Sequence, residues 1–162
     1  MSWGQPFQRI RYESYLLTFT EIPDEITLCF NITGCPCFCE GCFEPWLRED
    51  TGEYLTYDVI EQLYKKNKHI TCICFMGGDR YYDDIAVLTM ELKRNYPELK
   101  FAMYSGRQEM NPFLSKILDF YKVGPFIESC GPMNKKTTNQ RFYKKVNNDW
   151  IDLTYRFQIE KR

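Results

Sequence analysis

The sequence predicts an α/β protein built on a largely parallel sheet and finished by a C-terminal β-hairpin. Three features carry this expectation. Short apolar runs alternate with segments of helical spacing between residues 25 and 121, the loops joining them are short, and the final stretch switches to two alternating runs around Asn147-Asn148-Asp149. Strands joined through helices run parallel with right-handed crossovers, whereas a tight Asn-rich turn joins antiparallel neighbours. The 162 residues read as one domain spanning 1–162, too short for a complete eight-unit β/α barrel, which takes roughly 250 residues.

The first element is a strand over Glu25–Ile32 (EITLCFNI), rich in β-branched and aromatic residues, which runs straight into the cysteines from Cys35 to Cys42. Tyr57–Lys66 places Tyr57, Ile60, Leu63 and Tyr64 at helical spacing, with Thr56 as N-cap and Lys65 and Lys66 in the last turn. Ile70–Phe75 (ITCICF) is continuously apolar and bounded by Gly77-Gly78, as expected of a strand buried on both faces. A second helix starts near Asp83-Asp84, carries Ile85, Leu88 and Leu92 on one face, and ends at Lys93-Arg94, so its charges suit the helix dipole. Lys100–Tyr104 is the next strand, closed by Ser105-Gly106. Asn111-Pro112 starts a third helix carrying Phe113, Leu114, Ile117, Leu118 and Tyr121. Arg141–Val146 and Trp150–Ile159 form the hairpin arms, residues 1–20 carry no recognisable motif, and Trp46 and Trp150 are expected to pack in the core.

Composition narrows the function. With 21 Lys and Arg against 22 Asp and Glu, the net charge is −1, which supplies no broad basic surface and argues against a nucleic-acid partner. No apolar run approaches the ~20 residues that span a bilayer, and MSWGQPFQRI lacks the apolar middle of a secretory signal. A cytoplasmic protein with no membrane partner is expected. Eight cysteines amount to about 5% of the chain, above ordinary usage but below a disulfide scaffold, so in a reducing compartment they read as thiols for metal or redox chemistry. His69 is the only histidine, which excludes chemistry built on several, and it reads as a loop residue.

The informative segment is Gly34-Cys35-Pro36-Cys37-Phe38-Cys39-Glu40-Gly41-Cys42. A structural zinc site draws four ligands from two knuckles separated in sequence, and no second CxxC follows Cys39 and Cys42; Cys72 and Cys74 lie two apart in an apolar strand, where both face the core as small hydrophobes. The other reading takes Cys35, Cys39 and Cys42, a C-x3-C-x2-C triplet, as thiolate ligands of a 4Fe-4S cluster. Three thiolates leave one iron open for a small molecule. Cys37 breaks the spacing and is taken as a non-ligand, and neither Cys29 nor Cys130 has a neighbour that argues for ligation.

The triplet after a strand resembles the motif of radical S-adenosylmethionine enzymes, and Phe75-Met76-Gly77-Gly78-Asp79 stands where that family has a glycine-rich turn ending in an acid. More narrowly, Thr27 to Cys35, Glu40-Gly41-Cys42, Tyr104-Ser105-Gly106, Gly124 to Glu128 and Thr137 to Arg141 are similar to the activating proteins of anaerobic ribonucleotide reductases. In two places the chain departs from the wider family: Gly41 replaces an aromatic residue that often contacts adenine, with Phe43 just beyond, and Arg80 follows the glycine turn where proline is common. The resemblance implies an incomplete β/α barrel of the radical S-adenosylmethionine type. It implies a 4Fe-4S cluster on Cys35, Cys39 and Cys42 with one open iron, and S-adenosylmethionine contacts at Gly41, Cys42, Phe43, Gly77, Gly78, Asp79, Tyr104 and Ser105. The ammonium of the methionine part would meet the backbone carbonyls and carboxylate of the Gly77-Gly78-Asp79 turn. Reductive cleavage would yield a 5′-deoxyadenosyl radical that makes a glycyl radical on anaerobic ribonucleoside-triphosphate reductase, the protein substrate, with electrons from a donor such as flavodoxin or ferredoxin. Two alternatives stand beside this: an activase of another glycyl radical enzyme such as formate lyase, and a non-catalytic zinc-binding interaction module.

Overall fold

The computed structural model describes residues 9–37, 39, 41 and 45–158. Its strands are β1 (Arg11–Thr18), β2 (Thr27–Ile32), β3 (Glu53–Tyr54), β4 (Cys72–Met76), β5 (Lys100–Tyr104), β6 (Phe120–Val123), β7 (Arg141–Val146) and β8 (Asp149–Asp152). Among the described residues the α-helices are α1 (Tyr57–Lys66), α2 (Tyr82–Asn95) and the single turn α3 (Leu114–Ile117). The strands form one open mixed sheet in the order β3-β1-β2-β4-β5-β6-β7-β8. Its centre, β2-β4-β5-β6, is parallel, and the flanking pairs on both sides are antiparallel. Among the described residues no helix is long and apolar enough to cross a membrane.

Both faces of the parallel centre are covered, which is why its strands read as unbroken apolar runs. On the helical face Leu28, Phe30, Ile32, Ile73, Phe75, Phe101 and Met103 pack with Ile60 of α1, Ile85, Leu88 and Leu92 of α2 and Leu114 of α3. Each such side chain contributes roughly 1.5–3 kcal/mol by leaving water. On the other face Cys29, Cys72, Cys74, Ala102 and Phe120 pack with Ile22 and Phe142. Cys72 and Cys74 therefore share one face, as residues two apart on a strand must.

Local chemistry accounts for the helix ends. Thr56 Oγ1 accepts the Val59 amide at 3.3 Å and so caps α1. At the start of α2, Asp84 Oδ2 accepts the amides of Arg9 and Ile10 at 2.8 and 2.9 Å, which fixes the chain entering β1. Asn147 and Asn148, with φ of 51° and 67°, supply the left-handed two-residue turn between β7 and β8.

Several expectations are corrected. β1 is an element the sequence reading did not expect within residues 1–20; its residues Glu13–Leu17 are all exposed, so it lacks the alternating buried stripe that marks a strand. The third helix ends at Ile117, and Tyr121 belongs to β6 rather than to a helical face. Leu118 is already extended, the Asp119 carboxylate accepts the Phe101 amide at 2.9 Å, and pairing with β5 outweighs the helical spacing. The second hairpin arm stops at Asp152, because Asp152 Oδ1 takes the Thr154 amide and hydroxyl and turns the chain into a short 3-10 segment, Thr154–Phe157. Trp46 is 53% exposed and donates to Glu13 Oε2, so it is not a core residue, whereas Trp150 packs edge-on against Tyr121. His69 lies in an exposed turn.

Candidate metal centre

Because β2, β4, β5 and β6 are parallel, their carboxyl ends lie along one edge of the sheet, the edge at which open α/β sheets bind ligands. The turns after these strands begin at Thr33, Gly77, Ser105 and Gly124. A cavity of about 190 Å³ opens between them, lined by residues including Cys35, Cys37, Cys39, Gly77, Tyr104, Ser105, Gly106 and Lys122.

The cysteine loop is pinned from outside by the segment after it. Gly34 donates to Glu49 O and Cys35 to Leu47 O, each at 3.0 Å, and the Arg48 guanidinium donates to Cys39 O at 2.9 Å. Gly34 has φ +74°, a backbone conformation that favours glycine, and a Cβ there would stand 3.0 Å from the Tyr81 hydroxyl. Cys35, Cys37 and Cys39 are half-buried free thiols. Burial pushes the Cys35 thiol up. Burial, followed by the nearby Asp79 charge, pushes Cys37 up to about 12, and its Sγ donates to Asp79 Oδ2 at 3.6 Å. Cys35 Sγ in turn donates to Cys37 O at 3.6 Å, so both loop thiols carry a hydrogen bond. Cys42 and Phe43 lie outside the described residues. Gly41, at φ +73°, faces the ring of Phe126 and the carboxylate of Glu128 across the space a side chain would fill.

Asp79 joins three of the turns. Its Oδ1 accepts from Ser105 Oγ at 2.6 Å and from Tyr82 Oη at 2.9 Å, and its Oδ2 accepts from the Gly106 amide at 2.8 Å as well as from Cys37. A second tie runs from the Gly77 amide to Tyr104 O at 2.9 Å. The two glycines of the turn differ. Gly77 borders the cavity and a Cβ there would meet nothing nearer than 3.5 Å, whereas a Cβ on Gly78 would stand 2.6 Å from Ile85 Cδ1 in the core. Tyr104 borders the cavity with its hydroxyl donating to Glu21 O.

Two contributors were not read from residue type or spacing. Lys122 is buried and donates to Ser105 O at 3.1 Å and Gly124 O at 2.8 Å, and burial lowers its ammonium to about 8. Its position in an apolar strand, FYKV, was the available signal, because lysine is rarely buried without a role. The second is the segment Thr138-Asn139-Gln140, marked by resemblance alone. Asn139 Nδ2 donates to Pro125 O at 3.0 Å, and the Gln140 backbone lies 3.1 Å from where a Gly124 Cβ would be, so this segment braces the wall formed by residues 124–126.

The chain belongs to the family of 4Fe-4S single cluster domains, which matches residues 26–151. It is a cluster-binding domain of the iron–sulfur class, and the match spans the sheet from β2 to β8. No curated protein and no solved structure matches the chain. Among the described residues no three His, Cys, Asp or Glu side chains form a metal-binding group by themselves. The residues around the cavity nevertheless fit a thiolate-held cluster: soft sulfur donors border it, and a buried ammonium on its wall has no carboxylate within ion-pair distance among the described residues.

Proposed function

We propose that this chain is a radical S-adenosylmethionine activase that makes a glycyl radical on an anaerobic ribonucleoside-triphosphate reductase. The observation that carries the reading is the shared cavity: the cysteine loop after β2, the glycine turn after β4 and the Ser105-Gly106 turn after β5 all border it. In this reading the open eight-stranded sheet is an incomplete β/α barrel, and Cys35, Cys39 and Cys42 hold the cluster. When bound, such a cluster supplies one electron and an open iron for reductive cleavage of a chelated S-adenosylmethionine.

The chain's own residues bind and orient. Gly77, with no side chain, lets the methionine part approach the turn, whose carbonyls accept from its ammonium. Asp79, its oxygens engaged by Ser105, Tyr82, Gly106 and Cys37, holds the turns in register. Gly41 leaves room beside the third ligand, and Phe126 faces that space as an apolar wall. A macromolecular substrate seated on this edge would exclude water from the reacting centre.

The test is anaerobic reconstitution with iron and sulfide, S-adenosylmethionine and a strong reductant, with and without the reductase. Electron paramagnetic resonance should show a glycyl doublet only in the mixture. Substituting the partner's radical glycine by alanine should remove it. A loaded protein that gives no doublet with the reductase, or gives it only with a formate lyase, overturns the assignment of substrate. A colourless protein that takes zinc and no iron overturns the cluster reading.

A further inference from the structure

We propose that Lys122 is the counter-charge of the cluster, a buried ammonium that offsets the negative charge on the cavity's contents and eases their one-electron reduction. The inference rests on the cysteine loop holding a cluster and is independent of which substrate receives the radical.

Lys122 sits on β6 and is 8% exposed. Its neighbour Tyr121 faces the helical core, and Lys122 borders the cavity shared with Cys35 and Cys39. The ammonium has three N–H donors, and the carbonyls of Ser105 and Gly124 accept from it. Carbonyl groups solvate a cation without neutralising it. Among the described residues no carboxylate lies within ion-pair distance of Nζ, and Asp79, whose charge acts on it from farther off, already accepts from four donors. A buried cation without an ion-pair partner is costly, so the sequence retains this one for something it meets in the cavity. Three thiolates outweigh a doubly positive cluster core by one charge, and one-electron reduction adds another. Arg48 also reaches this loop but is only half-buried, where water screens it more.

Nearby positive charge raises a reduction potential, because it stabilises the form that carries the extra electron. The test is a redox titration of the reconstituted protein without S-adenosylmethionine, followed by electron paramagnetic resonance, with iron content measured alongside. Wild type, Lys122→Met, Lys122→Gln and Lys122→Arg are compared. The expected result is a full cluster throughout, a shift of the potential to more negative values in the Met and Gln variants, and its restoration in the Arg variant. Gln keeps hydrogen-bond donors and loses the charge, so a wild-type potential in Lys122→Gln would overturn the proposal. Unchanged potentials with weakened S-adenosylmethionine binding would assign Lys122 to the ligand instead and also overturn it. If only the uncharged variants fail to load, the charge acts in assembly rather than on the potential and the proposal falls; if the Arg variant also fails, the position is structural and the proposal falls. A wild type that loads no cluster refutes the underlying site reading, a distinct outcome seen before any variant is compared.

Discussion

Asp79 Oδ2 accepts the Gly106 amide at 2.8 Å and thereby joins the turn after β4 to the turn after β5. With Ser105, Tyr82 and Cys37 on the same carboxylate, one side chain sets the spacing of three cavity walls. Asp79→Ala leaves buried donors without an acceptor. We expect a loss of about 3 kcal/mol, read as a lower urea midpoint in the iron-free protein. An unchanged midpoint would show that the turns keep their places without it.

Ligation divides the cysteines. Cys35→Ala, Cys39→Ala and Cys42→Ala should each lose the intact cluster, measured as iron content and visible absorption after anaerobic reconstitution. Cys37→Ala should keep it, because Cys37 lies outside the C-x3-C-x2-C spacing. Cys29→Ala should keep it as well, since Cys29 is buried on the face away from the helices, among Cys72 and Cys74. Equal loss in Cys37→Ala and Cys39→Ala would move the ligand set.

The glycine turn separates strain from crowding. Gly78→Ala places a Cβ against Ile85 Cδ1 at a backbone φ of +100°, and should cost about 2–4 kcal/mol. Ile85→Val deletes that methyl, so adding it to Gly78→Ala should recover part of the loss, although alone it costs about 1 kcal/mol. Gly77→Ala makes only ordinary van der Waals contact with Ile32 at φ +102° and should show the conformational cost without the steric one. Purely additive losses in the double variant would remove the contact from the explanation.

Lys122 gives the iron-free protein a dependence on alkaline pH. Burial lowers its ammonium in the folded chain to about 8, below the value near 10.4 of an unfolded lysine. Between these values the unfolded chain holds a proton that the folded chain has released, so this group's contribution to stability rises with pH across that window and is flat below it. Denaturant titrations at pH 7.5 and 10 should show Lys122→Met lacking a gain on the order of 2 kcal/mol that wild type acquires. Parallel curves for the two proteins would contradict this.

Elements whose signal is local were legible in the sequence. Tyr57–Lys66 is a helix with Thr56 as its cap, Lys100–Tyr104 is a strand, and the Asn-rich turn makes a hairpin, each specified by neighbouring residues. β1 and β6 were not legible. Exposure of Glu13–Leu17 removes the alternation of β1, and Tyr121 sits at a helical spacing that only the register with β5 overrides. The cysteine loop and glycine turn stood out by residue type and spacing. Their supports did not, because Asp79 to Gly106 and Lys122 to Ser105 are contacts across the sheet and no spacing rule connects them.

The thiols of the Cys35–Cys42 loop lie within eight consecutive residues, whereas the cavity walls come from residues spread between Ile32 and Gln140. Closing the short loop costs little conformational entropy, while bringing the walls together requires the long-range parallel pairings of β2, β4, β5 and β6, which form slowly. In the proposed reading, a nascent chain therefore presents its chelating thiols before it presents a binding site. Capture of metal can precede folding, but discrimination among metals and clusters waits for the sheet, so fidelity of maturation depends on the order in which iron and tertiary structure arrive.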